Sequence, residues 1–142
     1  MSQENVEIVR QAYEEFHAAM DRGDPGSWFD SEVVARDFGW TLDPRYPPFE
    51  GRSVWRGREG FAEFVRTWTE DFGDWSIRVE GLIDAGDDRV VALTRQSAIG
   101  KGSGVPVELN IGQVYELEDG RLTRVTNYLI HAKALEAAGL SE

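Results

Sequence analysis

The sequence contains no cysteine and only two histidines in 142 residues. Without cysteine the chain cannot form a disulfide, a thiolate nucleophile, or a cysteine-ligated zinc or iron–sulfur site. The two histidines have none of the ligand spacings that are typical of metal sites, so we predict neither a metal nor a cofactor. The glycines at 100–104 join two predicted strands instead of opening a helix, which argues against a phosphate-binding loop.

Basic residues are also scarce. Fifteen lysines and arginines face 26 acidic residues, and the formal net charge is -11. A field of this sign repels phosphate backbones and anionic lipids, so we expect no binding to nucleic acid or to a membrane surface. No apolar run approaches the roughly 18 residues that a membrane span needs. The first ten residues lack the basic and then apolar pattern of a signal peptide, and we therefore expect a cytoplasmic protein.

The length fits one domain covering residues 1–142, because nothing in the chain resembles a linker between two domains. Five tryptophans and seven phenylalanines exceed what a minimal core needs. We expect most of these rings in the core and the remainder at a cavity or an interface.

Three segments are predicted to be helices. The first runs from Gln3 to about Arg22, with Ser2 as its N-cap. The second runs from Arg58 to Phe72, and a short third helix runs from Ala132 to Ala138. Apolar residues recur every three or four positions in the first two helices: Val6, Val9, Tyr13, Phe16 and Met20, and then Phe61, Phe64, Val65, Trp68 and Phe72.

The other segments are predicted to be strands and turns. A strand at Val33–Leu42 precedes a loop at 43–51 that holds three of the five prolines. Four further strands are separated by short glycine- and aspartate-rich turns: Trp75–Ile83, Arg89–Ile99, Val107–Leu117 and Leu122–Ile130. Consecutive hairpins of this kind form an antiparallel meander.

Together these elements predict an α+β fold. Two amphipathic helices can bury their apolar faces only against the sheet, and a long, twisted sheet curls around them to enclose a hydrophobic pocket. The run Val90–Leu93 is apolar on both faces, so the outer face of the sheet also needs a cover. A homodimer formed through the sheet is the simplest cover, and a packed tail is the alternative.

Several short segments carry a resemblance to a known family: Glu4–Arg10 before Tyr13, Arg22–Asp24, Arg56–Gly60, Leu82–Val91, Glu118–Arg121 and Ala134–Leu140. In these segments and their order the chain resembles the nuclear transport factor 2-like superfamily, and especially its SnoaL-like, polyketide cyclase-like bacterial branch. The resemblance covers nearly the whole chain and implies a cone-shaped, cystatin-like sheet. This superfamily contains isomerases, cyclases, epoxide hydrolases, dehydratases and non-catalytic binding domains, so the resemblance does not decide the function.

A more distant similarity to ketosteroid isomerase implies three catalytic candidates. Tyr13 matches a tyrosine that donates to the developing oxyanion, and Asp43, followed by a proline, matches the base. Setting the hairpins in register puts Gln113 where those enzymes carry a protonated aspartate. Two observations favour a simpler structural role for Asp43. Aspartate before proline commonly begins a turn, and strand alternation puts Asp43 on the face opposite Trp40 and Leu42. A bend at Asp43–Pro44 would remove this second objection.

Nine further residues are predicted to line the pocket: His17, Trp40, Trp55, Phe61, Trp68, Tyr115, Asn127, Leu129 and His131. His17 could shuttle a proton or fill the pocket rim, and His131 could approach the pocket or cap the last helix. SnoaL-like relatives commonly carry an aspartate near the end of the last strand. This chain has Leu129–His131 there, which disfavours a cyclase-type role.

The hypothesis is a protein that binds a small apolar or polycyclic molecule. If it is an enzyme, we expect a cofactor-free isomerase, cyclase or hydrolase that uses acid/base chemistry. The alternative is a non-catalytic dimeric scaffold or protein-interaction domain. The enzyme hypothesis requires Asp43 and Tyr13 to face one connected cavity.

Overall fold

The computed structural model describes residues 2–43 and 53–140. Its elements in chain order are α1 (Ser2–Asp21), a short 3-10 helix (Pro25–Asp30), β1 (Val34–Leu42), β2 (Val54–Arg56), α2 (Gly57–Asp71), β3 (Phe72–Gly86), β4 (Arg89–Gly100), β5 (Pro106–Leu109), β6 (Gly112–Glu118), β7 (Arg121–Tyr128) and α3 (His131–Ala137). The predicted N-cap side chain of Ser2 and the predicted loop after Asp43 lie outside the described part of the chain. None of the described helices is long and apolar enough to cross a membrane.

Seven strands form one open, curved sheet in the order β2-β1-β7-β6-β4-β3, with β5 paired to β4. The predicted antiparallel hairpins are present, and the α+β class is confirmed. β1 joins the sheet in parallel beside β7, so that Trp40 pairs with Val125. The strand pattern did not predict this pairing. β2 was also missed, because its three residues are too few to show a period.

The predicted strand Val107–Leu117 is interrupted. β5 pairs with the end of β4 and β6 pairs with its beginning, and the break falls at residues 110–111. The register is the same on both sides of the break, since Gln96 opposes Leu109 and Leu93 opposes Gly112. At the break the Ile111 carbonyl accepts both the backbone N–H and the hydroxyl of Thr94, at 2.9 and 2.7 Å.

The apolar faces of α1 and α2 are buried in one core, as their periodicity predicts. Phe61 of α2 is fully buried, and its ring centroid lies 5.2 Å from that of Trp40 and 5.3 Å from that of Trp28. The Trp28 indole also donates to the Ala12 carbonyl at 3.0 Å, which joins the 3-10 helix to α1. This aromatic cluster holds both helices against β1.

The other face of the sheet is covered by α3. Val91 of β4 and Val114 of β6 pack there against Ala134 and Ala138. A Cβ atom at Gly112 would lie only 2.5 Å from the Cβ of Ala134, so glycine is what allows this close approach. α3 therefore supplies a cover of the packed-tail kind, and the dimer stays a prediction.

Candidate functional site

A cavity of about 450 Å³ opens between the end of β1, the end of α2 and strands β3 to β5. Its aromatic lining consists of Trp40, Phe64, Trp68, Phe72 and Trp75. Its aliphatic lining consists of Leu42, Val107, Leu109, Ile111 and Leu129. Its polar lining consists of Asp43, Asp71, Gln96 and Asn127. A cavity of this size with a few polar groups in apolar walls is typical of small-molecule sites.

Asp43 lies at the point where the chain leaves β1. Its backbone N–H donates to the Asn127 carbonyl at 2.9 Å, and the residue is only 4% exposed. Because β1 ends at Leu42, strand alternation does not extend to Asp43, and the predicted conflict with Trp40 does not arise. Trp40, Leu42 and Asp43 all line the same cavity.

Asn127 contributes a side-chain amide to the same cavity wall. Its Oδ1 accepts from Gln113 Nε2 at 2.7 Å, and its Nδ2 donates to the Thr41 carbonyl at 2.9 Å. An amide nitrogen carries two hydrogens. Among the described residues Nδ2 has this single acceptor, so its second hydrogen is available to a molecule in the cavity.

Tyr13, Tyr115 and Gln113 form a buried cluster behind Asn127. Both tyrosine hydroxyls donate to Gln113 Oε1, that of Tyr115 at 3.1 Å. Burial raises the pKa of Tyr13 well above its ordinary value, and the neighbouring Tyr115 adds to this effect. Burial likewise raises the pKa of Tyr115. Both phenols are therefore neutral donors, and none of the three side chains is part of the described cavity lining, where Tyr115 had been predicted.

The two histidines are held by backbone carbonyls. His17 Nε2 lies 3.0 Å from the Ile77 carbonyl, and His131 Nε2 lies 2.9 Å from the Thr94 carbonyl. A carbonyl can only accept, so Nε2 carries the hydrogen in both rings. Neither histidine is among the described residues of the lining, which differs from the prediction. Their contacts join elements of the fold.

The predicted aromatic residues divide between cavity and core. Trp40 and Trp68 line the cavity, as does Leu129. Trp55 of β2 and Phe61 of α2 are instead buried in the core. The Trp40 Nε1 atom is buried and has no hydrogen-bond partner among the described residues.

Sequence reasoning missed nine lining residues: Leu42, Phe64, Asp71, Phe72, Trp75, Gln96, Val107, Leu109 and Ile111. Phe72 follows Trp68 by one helical turn, a signal that was visible in the sequence, and their rings stack with centroids 4.5 Å apart. Gln96 gave no such signal, because its place in the cavity wall involves a contact with Trp75 of the neighbouring strand β3. Its Oε1 accepts the indole N–H of Trp75 at 3.0 Å.

The model of the SnoaL-like domain family matches residues 13–125 of the chain. The protein therefore belongs to the SnoaL-like domain family, within the nuclear transport factor 2-like superfamily. No curated protein matches the sequence.

Solved structures agree with this fold. An NTF2-like protein of unknown function from Burkholderia pseudomallei is 23% identical, with a TM-score of 0.71, over 96% of this chain and 97% of that chain. A Jannaschia protein assigned by name to the SnoaL-like polyketide cyclases is 20% identical, with a TM-score of 0.70, over 93% of this chain and 94% of that chain. TerC, co-crystallised with polyporic acid, is 18% identical, with a TM-score of 0.71, over 96% of this chain and 98% of that chain. Similarity at this level shows the shared fold.

Proposed function

We propose that the protein binds a small, largely hydrophobic molecule in this cavity and that Asp43 transfers a proton there without a cofactor. The observation that carries the proposal is a buried carboxyl group, that of Asp43, in the wall of an otherwise mostly apolar cavity. Such surroundings suit proton transfer because excluded water no longer weakens the interaction between a carboxylate and its substrate.

The neighbouring amide supplies the second part of the reaction. A substrate carbonyl that accepts the free N–H of Asn127 would lie beside Asp43, whose backbone is bonded to that of Asn127. Asp43 would take a proton from the carbon next to the carbonyl and return it to another carbon of the same conjugated system. Asn127 would stabilise the negative oxygen formed in between. No other reactant is needed, as expected for an isomerase.

Tyr13 is not among the described lining residues, so the expected arrangement with Asp43 and Tyr13 facing one cavity is not met, and the proposal relies on Asp43 with Asn127 instead. Tyr13 and Gln113 then have a different role from the one the resemblance implied. They do not line the described cavity, so we assign them as positioning residues that act through Asn127. Gln113 Nε2 donates to Asn127 Oδ1, which turns the Asn127 nitrogen away from Gln113. The two tyrosine hydroxyls hold the Gln113 oxygen and fix its orientation in turn.

Binding can be tested by thermal shift with steroids, polyketides, terpenoids and fatty acids. A ligand that binds only the folded state must raise the melting temperature. If no compound of these classes raises it, the binding proposal is wrong.

Proton transfer can be tested on each carbonyl compound that binds. We expect deuterium from D2O to appear next to its carbonyl in the NMR spectrum, and Asp43→Asn to abolish this exchange while binding persists. Glu14→Gln, at an exposed position on α1, is the control for the charge change. Exchange that survives in Asp43→Asn would remove Asp43 from the reaction.

A homodimeric, non-catalytic scaffold in the cytoplasm is the second candidate. It is supported by four large apolar side chains that remain more than a third exposed: Ile99, Val105, Leu129 and Ile130. Sedimentation of the wild type against Ile130→Lys tests it. A monomeric wild type would contradict the dimer.

A further inference from the structure

We propose that the protein has a second ligand site, which binds the phosphate group of a small organic phosphate between three arginines: Arg36, Arg58 and Arg121. The site is a cavity of about 550 Å³ that shares no described lining residue with the cavity of the proposed function. Arg36 stands near the start of β1 and Leu42 of the first cavity stands at its end, about 20 Å further along the strand. The inference therefore goes beyond the proposed function and does not depend on it.

The three arginines come from three different elements. Arg36 belongs to β1, Arg58 is the second residue of α2, and Arg121 is the first residue of β7. β1 and β7 are parallel neighbours with Val34 opposite Leu122, so both strands bring their arginine to the same end of the sheet. Like charges that share one cavity repel one another, and a bound anion would offset this repulsion.

The charges of this second cavity do not cancel. Two acidic residues, Asp30 and Glu32, also belong to its described lining. Asp30 is paired with Arg58. The side chains of Arg36 and Arg121 form no ion pair or hydrogen bond with any described residue, although the chain has 26 acidic residues for 15 basic ones. Their N–H groups are therefore available to a ligand.

Arginine side chains suit a phosphate group. A guanidinium group presents its N–H donors in a planar fork, which can bind two oxygens of one phosphate. Arg58 is held from two sides, because its Nη2 donates to Asp30 and its stem packs over Gly26, where a Cβ would lie 3.2 Å from Arg58 Cγ. A side chain that is already fixed loses less conformational entropy on binding. Phe29, partly exposed in the same lining, offers an apolar contact to the organic part of the ligand.

Three unpaired acidic residues lie beside the arginines: Glu32 in the lining, Asp37 next to Arg36, and Glu118 opposite Arg121 in the β6–β7 pairing. None of the three forms an ion pair with an arginine in the part of the chain that the structure describes.

The acidity of the whole chain restricts the ligand to a small molecule. At physiological ionic strength charges are screened over about 8 Å, so a phosphate inside the cavity is affected mainly by the arginines and less by the net charge of -11. A long polyanion such as a nucleic acid would extend beyond the cavity and be repelled by the rest of the acidic protein.

Calorimetry with phenyl phosphate tests the site, at about pH 7.5, where a phosphate monoester carries nearly two negative charges. We expect phenyl phosphate to bind the wild type. The double variant Arg36→Gln, Arg121→Gln should lose about tenfold or more in affinity, because charge-assisted hydrogen bonds are lost. Both positions are exposed, so the variant should keep the melting temperature of the free protein. The control Arg10→Gln, Arg66→Gln removes the same charge at exposed positions on α1 and α2 and should retain the affinity.

Each outcome decides the inference. No binding to the wild type, or an affinity that survives in the double variant, overturns it. Tighter binding of phthalate, which carries two carboxylates on a benzene ring, overturns phosphate as the ligand class.

If the double variant does not fold, the arginine Nε–H signals of the wild type in NMR spectra replace it. Phenyl phosphate should then shift the signals of Arg36 and Arg121 and leave that of Arg66 in place. Unchanged signals of Arg36 and Arg121 would contradict the inference. All these results concern the second cavity alone, so the proposed function is decided separately by its own experiments.

Discussion

Gln113 and Asn127 are joined through their side chains, with Gln113 Nε2 donating to Asn127 Oδ1 at 2.7 Å. Every hydrogen bond in this buried series of side chains has a fixed direction from donor to acceptor. The Tyr13 hydroxyl donates to Gln113, Gln113 donates to Asn127, and Asn127 donates to the Thr41 carbonyl. Since a carbonyl can only accept, the Thr41 end determines the orientation of both amides. The network therefore turns the Asn127 nitrogen, with its spare hydrogen, toward the end of β1.

Gln113→Met should remove this network without changing side-chain volume much. It leaves Asn127 Oδ1 without its donor and two tyrosine hydroxyls without their acceptor, so we expect the free energy of unfolding to fall by about 2–4 kcal/mol. Urea unfolding measures the loss. Gln11→Met, at an exposed position on α1, is the control and should change stability by less than about 0.5 kcal/mol. A similar small change for Gln113→Met would contradict the structural role of the network.

The stability of the protein should fall in alkali because of Tyr13 and Tyr115. Burial raises both pKa values in the folded state above the ordinary value of 10.0. Above pH 10 the unfolded chain therefore binds fewer protons than the folded one. The free energy of unfolding then falls by about 1.4 kcal/mol per pH unit for each tyrosine.

Tyr13→Phe isolates this effect, because Gln113 keeps the Tyr115 hydroxyl as a donor. Between pH 10 and the folded-state pKa values we expect the variant to lose stability less steeply than the wild type, by about 1.4 kcal/mol per pH unit. Urea unfolding at several pH values gives the slope. Phe16→Leu, a core variant without a titrating group, should keep the wild-type slope. An unchanged slope in Tyr13→Phe would exclude this tyrosine as the cause.

Gly112→Ala should displace α3 from the sheet. The added Cβ would lie 2.5 Å from the Ala134 Cβ, and backbone atoms of residues 130 and 131 lie within 3.5 Å, so the helix has to move. We expect a loss of about 1–3 kcal/mol in the free energy of unfolding. Gly81→Ala is the matched control, since its Cβ would meet only the Leu93 side chain at 3.9 Å. Equal effects of the two substitutions would contradict the close packing of α3.

Two phenylalanines distinguish the core from the cavity wall. Phe61 is fully buried among other rings, whereas Phe72 is partly exposed and lines the cavity. Phe61→Ala should cost about 3–5 kcal/mol of stability, and Phe72→Ala clearly less, because its ring already borders open space. Only Phe72→Ala should alter ligand affinity at small cost in melting temperature. The reverse order of stabilities would contradict this division.

Much of the fold was predictable, because periodicity reports which face of an element is buried. The stripes of α1 and α2 and the hairpins of the sheet are local patterns, and the structure contains them. Some predicted ends are shifted: β3 begins at Phe72 and extends to Gly86, beyond the predicted strand Trp75–Ile83. Periodicity does not indicate which strands lie next to each other in the sheet. The parallel pairing of β1 with β7 joins residues about 85 positions apart and was therefore invisible in the sequence.

The sequence by itself determined the fold class, the acidity and the surplus of aromatic rings, since these depend on composition and short-range spacing. Of the residues that it predicted for the pocket or its chemistry, the cavity is lined by Asp43, Trp40, Trp68, Asn127 and Leu129. Only the tertiary structure decided which of the predicted residues share the cavity. Tyr13 and Gln113 lie 100 positions apart and meet behind its wall, while Trp55 and Phe61 fill the core. The reason is physical: a side chain reaches a cavity through the packing of distant elements, and no local pattern encodes that packing.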